Sequence, residues 1–76
     1  MSIYTNRADN TVVITGQLLF STIAKIYELQ GRVVSTSILE TTNRLQTIDV
    51  SNFNTGVYIV ELSNTSQKKT QKVIID

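Results

Sequence analysis

Seventy-six residues, 41% of them hydrophobic, suffice for one small domain, which buries only about 60% of the surface its unfolded chain exposes. A net charge of +1 provides no field to steer nucleic acid or an anionic membrane, and the absence of Cys and His removes disulfides, thiolate metal sites and the usual catalytic base. Only 17% of residues are charged, with Thr, Ser, Asn and Gln in their place, and no run approaches the ~18 apolar residues of a membrane-spanning helix.

Residues 1–10 start with the apolar pair Ile3 and Tyr4. Asn6, Asp9 and Asn10 follow, side chains that bond nearby backbone and tolerate a left-handed conformation, which predicts a turn. There is no basic-then-apolar leader here. An exported domain would need its address elsewhere in a longer protein, or would itself be the address. Residues 11–15 are β-branched throughout and predict a strand with Val12 and Ile14 on one face, stopped by Gly16. Leu18, Leu19 and Phe20 stand together in residues 17–20, too apolar for an exposed loop, which predicts a partly buried crossing between sheets.

Residues 21–31 fit two periods. As a helix, Ser21 or Thr22 caps the start, Ile23, Ile26 and Tyr27 share a face, and Gly31 follows the last turn. As a strand, Ala24 and Ile26 face inward and Lys25 outward. Glu28-Leu29-Gln30-Gly31 then turns into a hairpin, with Gly31 in the left-handed place of a three-residue loop. Residues 32–38 alternate, Val34, Thr36 and Ile38 opposite Val33, Ser35 and Ser37, and make a natural hairpin partner that favours the strand.

Residues 40–43 form a polar connection. Residues 44–50 predict another strand, but Leu45, Ile48 and Val50 break the period of two, which points to a bulge near Gln46 and Thr47. Gly56 then ends a polar turn. Tyr58, Val60 and Leu62 point one way, Val57, Ile59 and Glu61 the other, and Glu61 marks the second face as the wetter one. Phe53 before Gly56, and Tyr58 just after it, fit a tyrosine corner whose hydroxyl bonds upstream backbone. The other reading of Tyr58 is an ordinary core aromatic whose hydroxyl reaches water. Residues 64–69 read as a hairpin loop. In residues 70–76, Val73 and Ile75 are expected to face the core, with Lys72 wet and Ile74 partly covered at the edge. No Pro interrupts any strand, and about seven short strands at intervals of roughly ten residues predict an all-β sandwich in one domain.

Catalysis has little to stand on. The carboxylates Asp9, Glu28, Glu40, Asp49, Glu61 and Asp76 sit mostly at strand ends and turns, and a glycosidase-type pair needs two of them across a cleft. Asp49, Ser51, Asn52 and Asn54 surround one turn and offer oxygens to Ca²⁺, yet lack the carboxylate count of a calcium loop, so turn capping explains them better. No metal, cofactor or catalytic residue is assigned. Lys68, Lys69 and Lys72 are the basic cluster. They read either as protection of an edge strand or as a docking patch for a partner protein, and no aromatic interleaving points to nucleic acid. Asn64-Thr65-Ser66 is a formal glycosylation sequon.

The run Ala24-Lys25-Ile26-Tyr27-Glu28-Leu29-Gln30-Gly31-Arg32-Val33-Val34 resembles the pattern "v-x-I-Y-d-l-x-G-r-x-v". Ile48-Asp49-Val50-Ser51 with Phe53, then Gly56-Val57-Tyr58-Ile59-Val60, resembles "i-D-l-s-x-l-x-x-G-x-Y-i-v", and residues 68–75 resemble a closing "k-x-x-x-K-v-i". In order and spacing these are similar to the C-terminal sorting domain of cargo proteins of the type IX secretion system of Bacteroidetes, over residues 11 to 76. The resemblance implies an Ig-like β-sandwich of about seven antiparallel strands, with residues 1–76 a single C-terminal sorting domain of a larger secreted protein. It implies a non-catalytic role as the signal that takes an upstream cargo through an outer-membrane translocon. It also implies a sortase-like peptidase that removes such a domain and attaches the cargo to lipopolysaccharide at the surface. Gly31, Gly56 and Tyr58 fit the family's signature residues, and Lys68, Lys69 and Lys72 fall in its terminal basic motif. The family usually opens with "Y-P-N-P". Here Tyr4-Thr5-Asn6-Arg7 stands in that place, with Thr5 and Arg7 where the prolines belong, which leaves the path of the first strand open.

Two other readings fit the same sandwich. A carbohydrate- or protein-binding module would need an exposed aromatic platform, whereas most of Tyr4, Phe20, Tyr27, Phe53 and Tyr58 have better core assignments. A structural Ig-like spacer of a surface adhesin would need no site at all.

Overall fold

The β-branched and alternating runs all become strands, and two antiparallel sheets face each other across an apolar layer. The strands are β1 (Ser2–Asn6), β2 (Thr11–Thr15), β3 (Thr22–Glu28), β4 (Val33–Leu39), β5 (Leu45–Asp49), β6 (Gly56–Ser63) and β7 (Lys68–Ile75). A computed structural model describes residues 2–16, 18, 20–42, 44–65 and 67–76. The smaller sheet has the order β1-β2-β5 and the larger β4-β3-β6-β7. Hairpins join β1 to β2, β3 to β4 and β6 to β7, and the other connections cross between the sheets. This is the small Ig-like sandwich that the resemblance implies.

Residues 21–31 settle as strand and hairpin. A helix would have buried Ile23 with Ile26 and Tyr27, but the strand puts Ala24 and Ile26 in the core and leaves Ile23 outside. The N–H of Gly31 donates to the Glu28 carbonyl at 2.9 Å and that of Glu28 to the Arg32 carbonyl at 2.9 Å. Leu29, Gln30 and Gly31 thus make a three-residue loop, with Gly31 at φ +97°. The register shifts between Ile26 and Tyr27, so that Ile26 pairs with Ser35 and Tyr27 with Val33.

The strand at residues 44–50 holds no bulge. Its pairing with β2 is continuous from Thr11↔Asp49 to Thr15↔Leu45. The broken apolar period has a simpler cause: Ile48 faces the core, while Leu45 lies on the outer face and is 60% exposed. Lys68 and Lys69 belong to β7 rather than to the loop before it.

The core joins both sheets through Val12, Ile14, Ile48, Ala24, Ile26, Tyr58, Val60, Leu62, Val73 and Ile75, with Leu18 and Leu39 contributed beside the crossings. Each Val, Leu or Ile among them contributes roughly 1.5–3 kcal/mol by leaving water. Leu18 is buried and Phe20 exposed, so the crossing is partly buried as expected, while Gln17 and Leu19 lie outside the described residues. Despite the missing prolines, β1 runs as an ordinary strand paired with β2 from Ser2↔Thr15 to Asn6↔Thr11. Arg7, in the place of the second proline, forms an ion pair with Asp76 beyond β7. The turn after β1 is built from its Asn residues: Ala8 N–H donates to Asn6 Oδ1 at 3.0 Å, and Asn10 takes φ 55°.

Candidate functional site

Tyr58 makes the corner. Its hydroxyl donates to the Asn54 carbonyl at 2.7 Å, four residues upstream, and its ring lies tilted against that of Phe53 with centroids 5.4 Å apart. Gly56, at φ +154°, carries the chain from Asn54 into β6 in a conformation that side chains rarely adopt. The Phe53 N–H donates to the Val50 carbonyl at 3.0 Å, closing the turn that delivers Phe53 to the core. The choice left open by the sequence therefore falls to the corner. The loop of Gly31 lies beside it, since one shallow groove is lined by Glu28, Leu29 and Gln30 together with Asn54, Gly56 and Tyr58.

The six residues singled out from the sequence do not form one site. Gly31, Gly56 and Tyr58 lie at the same end of the larger sheet, where Glu28 pairs with Tyr58. Lys68 pairs with Ser63 at the far end of β6, seven residues or ~23 Å from Gly56. Lys72 pairs with Ile59 near the middle. The three lysines also divide between faces, because β7 alternates. Lys68 and Lys72 stand on the outer face of the larger sheet. Lys69, opposite Leu62, stands on the side of Val73 and Ile75.

The carboxylates have structural work. Asp49 Oδ1 accepts the Ser51 N–H at 2.9 Å; this backbone bond, then the Ser51 side chain, holds the Asp49 carboxyl below its usual range. Asn54 gives its carbonyl to Tyr58, so the cluster around residues 49–54 caps a turn. Glu28 binds Arg32 at 2.7 Å across the hairpin loop, and that bond raises the guanidinium pKa further. Glu61 lies 3.5 Å from Lys68. Among the described residues no three of His, Cys, Asp and Glu gather in a way that would hold a metal ion. The sequon at Asn64 includes Ser66, which lies outside the described residues.

The sequence reading missed the outer face of the larger sheet. In one row Ile38, Ile23, Ser63 and Lys68 stand side by side across β4, β3, β6 and β7. The next row holds Thr36, Lys25, Glu61 and Thr70, and the third Val33, Tyr27, Ile59 and Lys72. Val57 and Ile74 pair beyond them. Ile38 is 69% exposed, Ile74 58%, Val33 43% and Ile23 42%. Ile74 is thus partly covered at the edge, as expected, with more than half of it left to solvent. A solvated sheet face ordinarily reads polar. The signal was present in the sequence: the residues alternating with the core set in β3 and β4 include Ile23 and Ile38, which surface exposure alone does not call for.

The family model described as secretion system C-terminal sorting domain matches residues 2–76. No curated protein matches the chain.

Proposed function

This chain belongs to the secretion system C-terminal sorting domain family, and on that premise we propose that its folded sandwich, rather than a terminal peptide, is what the secretion apparatus reads. Membership makes it a type IX sorting signal, which implies export through the outer membrane to the surface or medium. The observation that carries the proposal is the reach of the match, from β1 through the residue after β7, so that both sheets belong to the family pattern. The cargo lies upstream in the same polypeptide, and the domain performs no chemistry of its own. The engagement of Asp49, Glu28 and Glu61 in turns and ion pairs supports that reading.

At the surface a sortase-like peptidase cuts the domain from its cargo. The resemblance supports this step. It is tested by fusing a reporter ahead of residues 1–76 in a bacterium that has the type IX system, and weighing the exported reporter by mass spectrometry. The expected product has lost the domain, and in a strain without the peptidase it keeps it. A surface reporter that retains the whole domain in both strains would contradict the processing step and leave the sorting role standing.

A further inference from the structure

We propose that the outer face of the larger sheet is the surface by which this domain docks, and that its partner is a protein surface with an apolar centre and carboxylates at the rim. The inference rests on the sorting role and assigns it a place. Four of the large apolar side chains most exposed to solvent, Ile23, Val33, Ile38 and Ile74, share this one face, with Tyr27 and Ile59 half-buried between them. Unpaired apolar surface gathered on one side of a small monomer marks an interaction site more often than scattered residues do.

The charges on the face select the partner. Lys25, Lys68 and Lys72 stand there against the single carboxylate of Glu61, which is already engaged by Lys68. A partner carrying carboxylates at the matching rim gains from the three lysines, which outnumber the one carboxylate of the face, and one carrying lysines is rejected. The outer face of the smaller sheet differs. It shows Tyr4, Thr15, Leu45 and Thr47, with Val13 itself buried, Asp49 at its end and no lysine.

Edge protection explains the lysines of β7 less well. β4 is the opposite edge of the same sheet and carries no charge from Val33 to Leu39. A chain selected only to guard its edges would charge both. Docking through the face also separates the lysines by position: Lys68 and Lys72 take part, and Lys69, on the other side of β7, does not.

A reporter fused ahead of residues 1–76 in a type IX-competent bacterium reads this out as surface against periplasmic signal. Ile38→Glu and the pair Lys68→Glu with Lys72→Glu are expected to lower export at least tenfold, while Lys69→Glu and Leu45→Glu stay within twofold of the wild type. Lys68→Arg with Lys72→Arg, which keeps the charges, is expected to export normally. Circular dichroism of each purified variant verifies the fold, and if Ile38→Glu melts early, Ile38→Thr replaces it with another β-branched residue. Wild-type export by the folded Ile38 and Lys68/Lys72 variants overturns the face, and so does an equal loss in Lys69→Glu and Leu45→Glu. A wild-type fusion that itself stays in the periplasm overturns the sorting reading, and the face with it.

Discussion

Tyr58→Phe removes one oxygen and leaves the ring against Phe53. The lost bond is that of the hydroxyl to the Asn54 carbonyl at 2.7 Å, between two uncharged groups. Such a bond is worth about 0.5–1.5 kcal/mol net. Asn54 is an exposed residue of an open turn, and the cost counted here is that of the bond alone. The expected loss is therefore about 1 kcal/mol. For a domain of this size that lowers Tm by roughly 4–8 °C. Tyr58→Ala is a different perturbation: it empties a site that is 6% exposed and should cost ~3–5 kcal/mol, a large part of the roughly 4–11 kcal/mol that 76 residues typically provide. Thermal melts followed by far-ultraviolet circular dichroism measure both. If Tyr58→Phe melts within about 1 °C of the wild type, the hydroxyl does no more than water would, and the corner does not hold the turn.

Gly31→Ala and Gly56→Ala should each destabilise by about 1 kcal/mol or more in urea titrations; beyond the glycine and its chain neighbours no atom lies within 4 Å of the added carbon at either place, so the cost is one of backbone conformation and a cost-free substitution would contradict the φ values of +97° and +154°. Ile26→Ala should cost ~2–5 kcal/mol because Ile26 is fully buried, while Ile38→Ala on the same hairpin should stay within about 0.5 kcal/mol; equal effects would mean that the faces of β3 and β4 are assigned wrongly. The Asp49 carboxyl titrates lower in the folded than in the unfolded chain, so its stabilising effect is complete above the ordinary value near ~3.9 and is lost as pH falls through the depressed native one. Asp49→Asn should flatten the acid limb of the stability–pH curve, and superimposable curves would show that the Ser51 bond does not act on the charge.

The parts of the fold that were legible in the sequence are those where one residue type settles one geometry. Gly31 after Glu28-Leu29-Gln30 suits a three-residue hairpin loop but also the end of a helix, and the alternation of residues 32–38 is what favoured strand for residues 21–31. Phe53, Gly56 and Tyr58 encode the corner, but whether the hydroxyl reaches a carbonyl or water depends on where the turn places Asn54, which is a tertiary matter. Leu45 was misleading because an apolar residue was assumed to face inward, whereas it sits outward in an unbroken register. The same assumption hid the outer face of the larger sheet, where Ile23, Ile38 and Ile74 are neighbours only after β3, β4 and β7 have been paired. The lysines looked like one cluster in sequence; a period of two sends Lys69 to the other side of its strand.

These residues, once folded, are expected to suffice to route a protein out of the cell. The direct measurement attaches them to the C-terminus of a reporter that carries its own leader to the periplasm, and counts the reporter on the surface and in the medium of a type IX-competent bacterium and of the same strain without the translocon. Export is expected only when both the domain and the translocon are present, with the reporter held in the periplasm otherwise. A reporter that leaves the cell without the domain, or that stays in the periplasm with the folded domain and an intact translocon, would contradict it.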